Sequence, residues 1–253
     1  MHAIILAAGR GNRLAEFNPD GRPKCLLEFG GRSLLARQLD ILFGLGIRHT
    51  TLVVGYEADM IIDHVGALVS RPEVSFVYNP AFLKGSVLSL LAARKVMTSG
   101  ESVLVLDADV LFHPQIMQRL IESPHPNCFL IDQEFVAGDE PVKIAIQQGS
   151  MVEFRKALAP DLVFDTLGES VGFFKFDDEI AAEISRICSN YQVEGLLDAP
   201  HEEALRDVLL ARPKAFACED VSGLPWLEVD FPEDLERAIK QVLPAIRNDL
   251  ADF

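Results

Sequence analysis

Basic side chains gather around two glycines near the start of the chain. Leu6-Ala7-Ala8-Gly9-Arg10-Gly11-Asn12-Arg13-Leu14 is followed at short distance by Arg22-Pro23-Lys24-Cys25-Leu26-Leu27. Glycine has no Cβ, so the backbone N–H groups around Gly9 and Gly11 can turn toward an anion and approach it closely, while Arg10, Arg13, Arg22 and Lys24 add positive charge beside them. That chemistry suits phosphates. Two carboxylate groups balance it. Leu106-Asp107-Ala108-Asp109 closes the apolar run from Ser102, and Asp230 closes Trp226-Leu227-Glu228-Val229. Asp-x-Asp at a strand terminus puts two carboxylates where Mg²⁺ could bridge phosphate oxygens.

Two familiar phosphate loops do not fit. A dinucleotide fingerprint needs a third glycine where Leu14 stands and an acidic ribose ligand where the second strand ends in Val54-Gly55-Tyr56. A P-loop needs Gly-Lys-Ser/Thr opening a helix, and the sequence has none.

The elements that must carry these residues alternate. Ala3 to Ala8 reads as a buried strand, and Ser33 is placed to cap a helix over Leu34 to Leu42 that ends near Gly44 or Gly46. A strand at Thr50 to Gly55, a helix at Glu57 to Leu68, a strand at Val74 to Tyr78 and a helix at Ser86 to Met97 continue the pattern. Ser102 to Leu106 is almost purely apolar, as a parallel strand covered on both faces should be, and a helix follows at Pro114 to Ile121. Beyond Asn127 the rhythm changes to short strands at Cys128 to Ile131, Val142 to Ile146, Val152 to Arg155 and Ser170 to Phe176, an antiparallel addition. Helices at Asp178 to Tyr191 and His201 to Leu210, strands at Lys214 to Ala217 and Trp226 to Val229, and a helix opened by Pro232 complete the reading.

The 253 residues, 49% of them hydrophobic, suffice for one large α/β domain, 1–253, with a nucleotide-binding half at 1–125 and an acceptor-binding half at 126–253. A formal net charge of -15 argues against nucleic acid or an anionic membrane as partner, and toward a small ligand whose charge a metal and a few clustered cations offset. No apolar run approaches the roughly 20 residues of a membrane span, and no secretory leader pattern is visible, so a cytoplasmic location is expected. Cys25, Cys128, Cys188 and Cys218 stand far apart, as reduced buried thiols would.

The first segment resembles the signature Leu-Ala-Ala-Gly-x-Gly-x-Arg, followed by Pro-Lys, of the sugar-phosphate nucleotidyltransferase-like superfamily. Trp226-x-Glu228-Val229-Asp230-x-Pro232-Glu233-Asp234-Leu235 resembles the C-terminal segment of its small-molecule cytidylyltransferases, the branch acting on phosphocholine, inositol 1-phosphate or phosphonates. The resemblance implies a Rossmann-like, three-layer α/β/α (GT-A-like) fold, with a mostly parallel sheet and a small antiparallel elaboration on the acceptor side. It implies transfer of CMP from CTP to a phosphorylated or phosphonate-bearing small alcohol, with Mg²⁺ held by Asp109 and Asp230. Arg13 would meet the β- and γ-phosphates, and Lys24 would bridge the α-phosphate and the acceptor. Leu6 to Arg13, Gly55, Asn79, Gly85, Ser86 and Asp107 would surround the nucleotide. On the acceptor side it points to Glu169, within Gly168-Glu169-x-x-Gly172, and to Lys143.

Several alternatives stay open at this level. Arg10 and Arg22 read equally as solvated loop charges, Glu169 as an exposed turn carboxylate, Lys143 as the solvent face of its strand, Glu228 as a site or a surface group, and Trp226 as core. A sugar-1-phosphate or molybdopterin-type nucleotidyltransferase, a metal-dependent glycosyltransferase, a nucleotide sensor, and a homodimer also remain open.

Overall fold

Strand β1 (His2–Ala7) lies inside a parallel sheet, and its Ala3, Ile4 and Ile5 are wholly buried because layers cover both of its faces. The computed structural model describes residues 1–11, 13–14, 20–68, 73–136 and 138–251. After β1 come a short hairpin, β2 (Glu28–Phe29) and β3 (Arg32–Ser33), then α1 (Leu34–Gly44), β4 (His49–Val54), α2 (Ala58–Gly66) and β5 (Glu73–Tyr78). Helices α3 (Ser86–Ala92) and α4 (Arg94–Met97) precede β6 (Val103–Asp107), β7 (Val110–Phe112) and α5 (Pro114–Glu122). The rest comprises β8 (Cys128–Asp132), β9 (Lys143–Gln147), β10 (Ser150–Arg155), β11 (Thr166–Phe176), α6 (Asp178–Val193), α7 (His201–Ala211), β12 (Ala217–Asp220), β13 (Trp226–Glu228), α8 (Pro232–Arg237) and α9 (Leu243–Ala251).

β5, β4, β1 and β6 lie side by side in parallel, and their C-terminal ends open on one edge. β11 runs antiparallel against β6, pairing Phe173 with Leu106 through Phe176 with Val103. Farther along, β11 also pairs with β8 and β9, so a single sheet of nine strands among the described residues joins both halves of the chain. One apolar cluster fills the face under α3, α6 and α7, around Phe129, Phe154 and Phe174. Another fills the face under α1, α2 and α5, around Leu35, Leu39 and Met117.

Local sequence explains the element ends. Ser33 accepts the Ala36 N–H at 3.1 Å as the N-cap of α1, and Asp177 accepts the Ile180 N–H at 2.8 Å as the N-cap of α6. Two expectations need correction. The helix expected over Ser86 to Met97 is two helices parted at Ala93, a break for which the structure gives no local cause. The strand expected at Lys214 to Ala217 is a 3-10 turn over Pro213–Ala215 followed by β12. Pro213 supplies no N–H for strand pairing, and the ladder starts two residues past the turn's last residue, Ala215, where Ala217 pairs with Cys128 in parallel with β8.

β7 was not expected at all. It pairs antiparallel with β13, matching Val110 with Glu228 and Phe112 with Trp226, and the Val229 N–H donates to the Asp109 carbonyl at 3.0 Å. This small ladder lays the C-terminal carboxylate segment across the end of β6.

Candidate active site

Lys24 opens a 3-10 turn over Lys24–Leu26, directly behind Pro23. Its Nζ donates to Asp109 Oδ2 at 2.7 Å and also to Asp230 Oδ1, so one ammonium holds together the two carboxylates delivered by β6 and β13. Burial alone would lower the lysine's pKa; Asp109 and Asp230 outweigh it and raise it above the ordinary value. Arg13 Nη1 donates to Asp230 Oδ2 at 3.0 Å, Nη2 lies 3.2 Å from Glu140, and the guanidinium sits 4.8 Å above the Phe231 ring centre. Asp234 accepts the backbone N–H groups of Asp230 and Phe231 at 3.0 and 2.8 Å, fixing the turn that presents Asp230.

The glycine loop lies against this group. Gly11 has φ +66, and a Cβ there would come within 2.5 Å of Lys24 Cγ, so only glycine lets the loop and the lysine pass so closely. Leu6, Ala7, Gly9, Gly11, Lys24 and Asp109 line a cavity of about 110 Å³. The Ala8 carbonyl accepts the Tyr56 N–H at 3.1 Å, which brings Gly55 beside the loop, and the Arg10 guanidinium lies 5.7 Å over the Tyr56 ring. Asn12 lies outside the described residues.

The remaining expected residues divide. Asn79 is buried, donates to Ser89 Oγ at 3.0 Å and accepts the Ala81 N–H at 2.9 Å, so its amide shapes the loop rather than facing the cleft. Gly85 presses on the backbone of Ala199, and Ser86 Oγ lies 3.0 Å from His201 Nδ1 while accepting the His201 N–H at 2.8 Å; the two tie the start of α3 to the start of α7. Lys143 donates to the carbonyls of Gly138, Pro141 and Lys156. Glu169 lies in the wall of a second cavity of about 290 Å³, with Trp226, Glu228, Asp230, Phe231 and Arg237.

Three residues gain importance in the structure. Glu228 joins Asp109 and Asp230 in a group in which one carboxylate oxygen from each lies within 4.8 Å of the other two. Glu228-x-Asp230 spacing, two residues along an extended segment, is a signal for this in the sequence. Lys156 lines the cleft with Asp107 and Gly172 and pairs at 3.1 Å with Glu140, the carboxylate that also meets Arg13; no pattern singles it out. His201 is buried, with Nε2 3.9 Å from Asp107 Oδ1. Asp107 is pushed well above the ordinary carboxylate range by desolvation, then by Glu202 and Asp109, against the pull of Lys24. Glu228 keeps surface at the mouth of the cleft, yet desolvation within the cleft wall and repulsion from Asp109, Asp230 and Asp107 push its carboxyl up as well.

Hard oxygen ligands, mutually repelling and held together by a lysine ammonium, are a donor set suited to a divalent cation such as Mg²⁺. A glycine-lined cavity and this carboxylate group meet at the C-terminal edge of a parallel sheet, where open α/β sheets bind ligands.

Residues 3–161 match the MobA-like NTP transferase domain, and the chain belongs to that family. The inositol-1-phosphate CTP transferase from T. maritima shares the three-layer α/β/α nucleotidyltransferase fold, with a TM-score of 0.77 over 97% of this chain and 94% of that one at 18% identity. The CMP-5'-(3-aminopropyl)phosphonate synthase of Streptomyces rubellomurinus is 28% identical over 94% of this chain and 38% of its own length. The UTP--glucose-1-phosphate uridylyltransferase AglF of Haloferax volcanii is 41% identical over 94% of this chain and 95% of that protein. The chain spans about half or less of the length of several curated relatives that it matches. Among the described residues no helix is long and apolar enough to cross a membrane.

Proposed function

We propose that this protein transfers CMP from CTP to a small phosphate- or phosphonate-bearing acceptor and releases pyrophosphate. The observation that carries the reading is Lys24, whose ammonium sits between Asp109 and Asp230 beside the glycine-lined cavity. An oxygen of the acceptor phosphate attacks the α-phosphorus, and the bond from that phosphorus to the bridging oxygen of the pyrophosphate breaks. The acceptor is already ionised near pH 7, so no general base is required.

The protein's share is positioning and charge. Lys24 neutralises the oxygens that approach each other, and Arg13 offsets the charge that builds on the departing pyrophosphate. Gly9 and Gly11 let backbone N–H groups close on the triphosphate. Asp109, Asp230 and Glu228 would hold Mg²⁺, which when bound supplies charge neutralisation at the phosphates. The cavity lined by Glu169 and Trp226 takes the body of the acceptor.

Relatives and structural neighbours named for cytidylyl transfer support the choice of CTP. The identity to a glucose-1-phosphate uridylyltransferase supports a second reading, UTP with a sugar 1-phosphate. A pyrophosphate-release assay over the four nucleoside triphosphates, each with 2-aminoethylphosphonate, phosphocholine, inositol 1-phosphate and glucose 1-phosphate, separates the two. Turnover confined to UTP and glucose 1-phosphate would replace the first reading with the second.

A further inference from the structure

One buried imidazole stands between the start of α3 and the end of β6. The connection from α6 to α7 runs back over α3: the Gly85 N–H donates to the Leu197 carbonyl at 2.9 Å, the Val87 N–H to the Ala199 carbonyl at 3.2 Å, and Lys84 pairs with Asp198 at 3.3 Å. His201 then begins α7. Its N–H has no acceptor within the helix at that position and donates instead to Ser86 Oγ at 2.8 Å. Ser86 therefore caps α7 from another element.

The His201 ring continues inward. It is 3% exposed and meets Phe174 edge-on, with ring centres 6.1 Å apart and planes at 77°. Nδ1 lies 3.0 Å from Ser86 Oγ and 3.1 Å from Glu202 Oε2. Nε2 faces Asp107 Oδ1 at 3.9 Å, and among the described residues this buried nitrogen has no hydrogen-bond partner. Buried polar atoms are rarely left unpaired, and closing the gap by about 1 Å would make a hydrogen bond of ordinary length. Asp107 is already confined elsewhere: Gln38 donates to its carbonyl at 2.8 Å, and a Cβ on Gly172, whose φ is +79, would fall 2.5 Å from its Oδ2. The two nitrogens of one ring thus face Ser86 and Asp107, which stand on different elements.

Resting on the transfer reading above, we infer that His201 is a positioning residue for the nucleotide, fixing the 79–86 loop through Ser86 and the end of β6 through Asp107. The imidazole itself touches no substrate. It keeps the spacing between two walls of the nucleotide cleft, so its loss weakens nucleotide binding more than it slows the bound reactants.

Calorimetric titration of the full chain with CTP and Mg²⁺, repeated with UTP, compares the parent with three variants. His201→Phe keeps a ring against Phe174 and removes both nitrogens. His201→Asn keeps a polar atom near Nδ1, and His201→Gln keeps one near Nε2. His201→Phe is expected to bind nucleotide about tenfold more weakly, and the Asn and Gln variants each to recover part of that loss. In pyrophosphate release the nucleotide KM should rise by a similar factor, while kcat and the acceptor KM change by less than about twofold.

A His201→Phe protein that is folded by circular dichroism and binds nucleotide as the parent does would overturn the inference. A weakening that neither Asn nor Gln recovers, or one that raises the nucleotide and acceptor KM together, also overturns it, because lost packing alone does both. Where His201→Phe does not fold, the Asn and Gln variants decide: affinities equal to the parent in both reject the role. The transfer reading is judged on the parent. Nucleotide binding that the variants weaken, without pyrophosphate release from any acceptor, removes that reading and leaves the role of His201 in place. Turnover in the parent with unchanged affinity in His201→Phe does the reverse, and a parent that binds neither nucleotide removes both.

Discussion

Lys24 holds together two carboxylates that would otherwise repel each other, so it has a structural and a chemical effect that experiment can separate. Lys24→Ala is expected to lower pyrophosphate release about 10²- to 10³-fold, the usual cost of losing one preorganised charge-stabilising group. The same variant leaves Asp109 and Asp230 uncompensated, so Mg²⁺ should raise its melting temperature more than it raises that of the parent protein. Equal Mg²⁺ shifts in differential scanning fluorimetry would place the metal elsewhere. Glu169 gives a pH-dependent counterpart. Its carboxyl titrates near 7 when folded, above its value in the unfolded chain, so the folded state holds the extra proton and stability from this group is lost as pH rises toward 7 and beyond. Without acceptor, Glu169→Gln should therefore melt above the parent at pH 8, with the gap closing near pH 5; a gap independent of pH would contradict the shift. The main charged groups were legible as residues because each stands at a strand end or in a glycine loop. Lys156 was not, since a lysine just past a strand has the same local pattern whether it faces solvent or a cleft.

Elements set how firmly those groups are held. The parallel strands and their helices could be read from apolar runs and capping residues, since burial on two faces and the Ser33 cap are local consequences of local sequence. β7 could not: its three residues are too few to show a period, and its partner β13 lies far along the chain. The same ladder explains why Asp109 and Asp230 meet. The turn after β13 is secured by Asp234, which takes two backbone N–H groups at once. Asp234→Ala should cost about 1 kcal/mol in urea unfolding, as loss of a helix-start acceptor does. It should also raise the Mg²⁺ concentration needed for half-maximal turnover, because Asp230 then loses its fixed approach. A stability loss with an unchanged Mg²⁺ requirement would confine Asp234 to the helix.

Across the molecule, the sheet shields its thiols. Cys25, Cys128 and Cys188 are buried, and desolvation raises the pKa of all four cysteines, with Cys25 and Cys188 reaching about 12. At pH 8 the native protein should react slowly with iodoacetamide at every position and rapidly once urea unfolds it, a difference that mass spectrometry counts directly. A fast-labelling thiol in the native state would reveal local opening that the fold does not suggest. The net charge of -15 pointed to a small ligand, but it could not show that acidic groups concentrate in the cavity beyond Asp230, because composition carries no position.

The bond from Lys24 to Asp230 spans 206 positions of sequence. At about 5–20 residues per second of synthesis, the lysine is added to the chain some 10 to 40 s before the aspartate exists. During that interval the nascent chain carries its glycine loop and Lys24 without the carboxylate of Asp230 that the lysine holds in the finished fold. Under the proposed function β13 therefore works as a timer: transfer begins only on a chain whose sheet has already been built, because Asp230 follows closely on that strand.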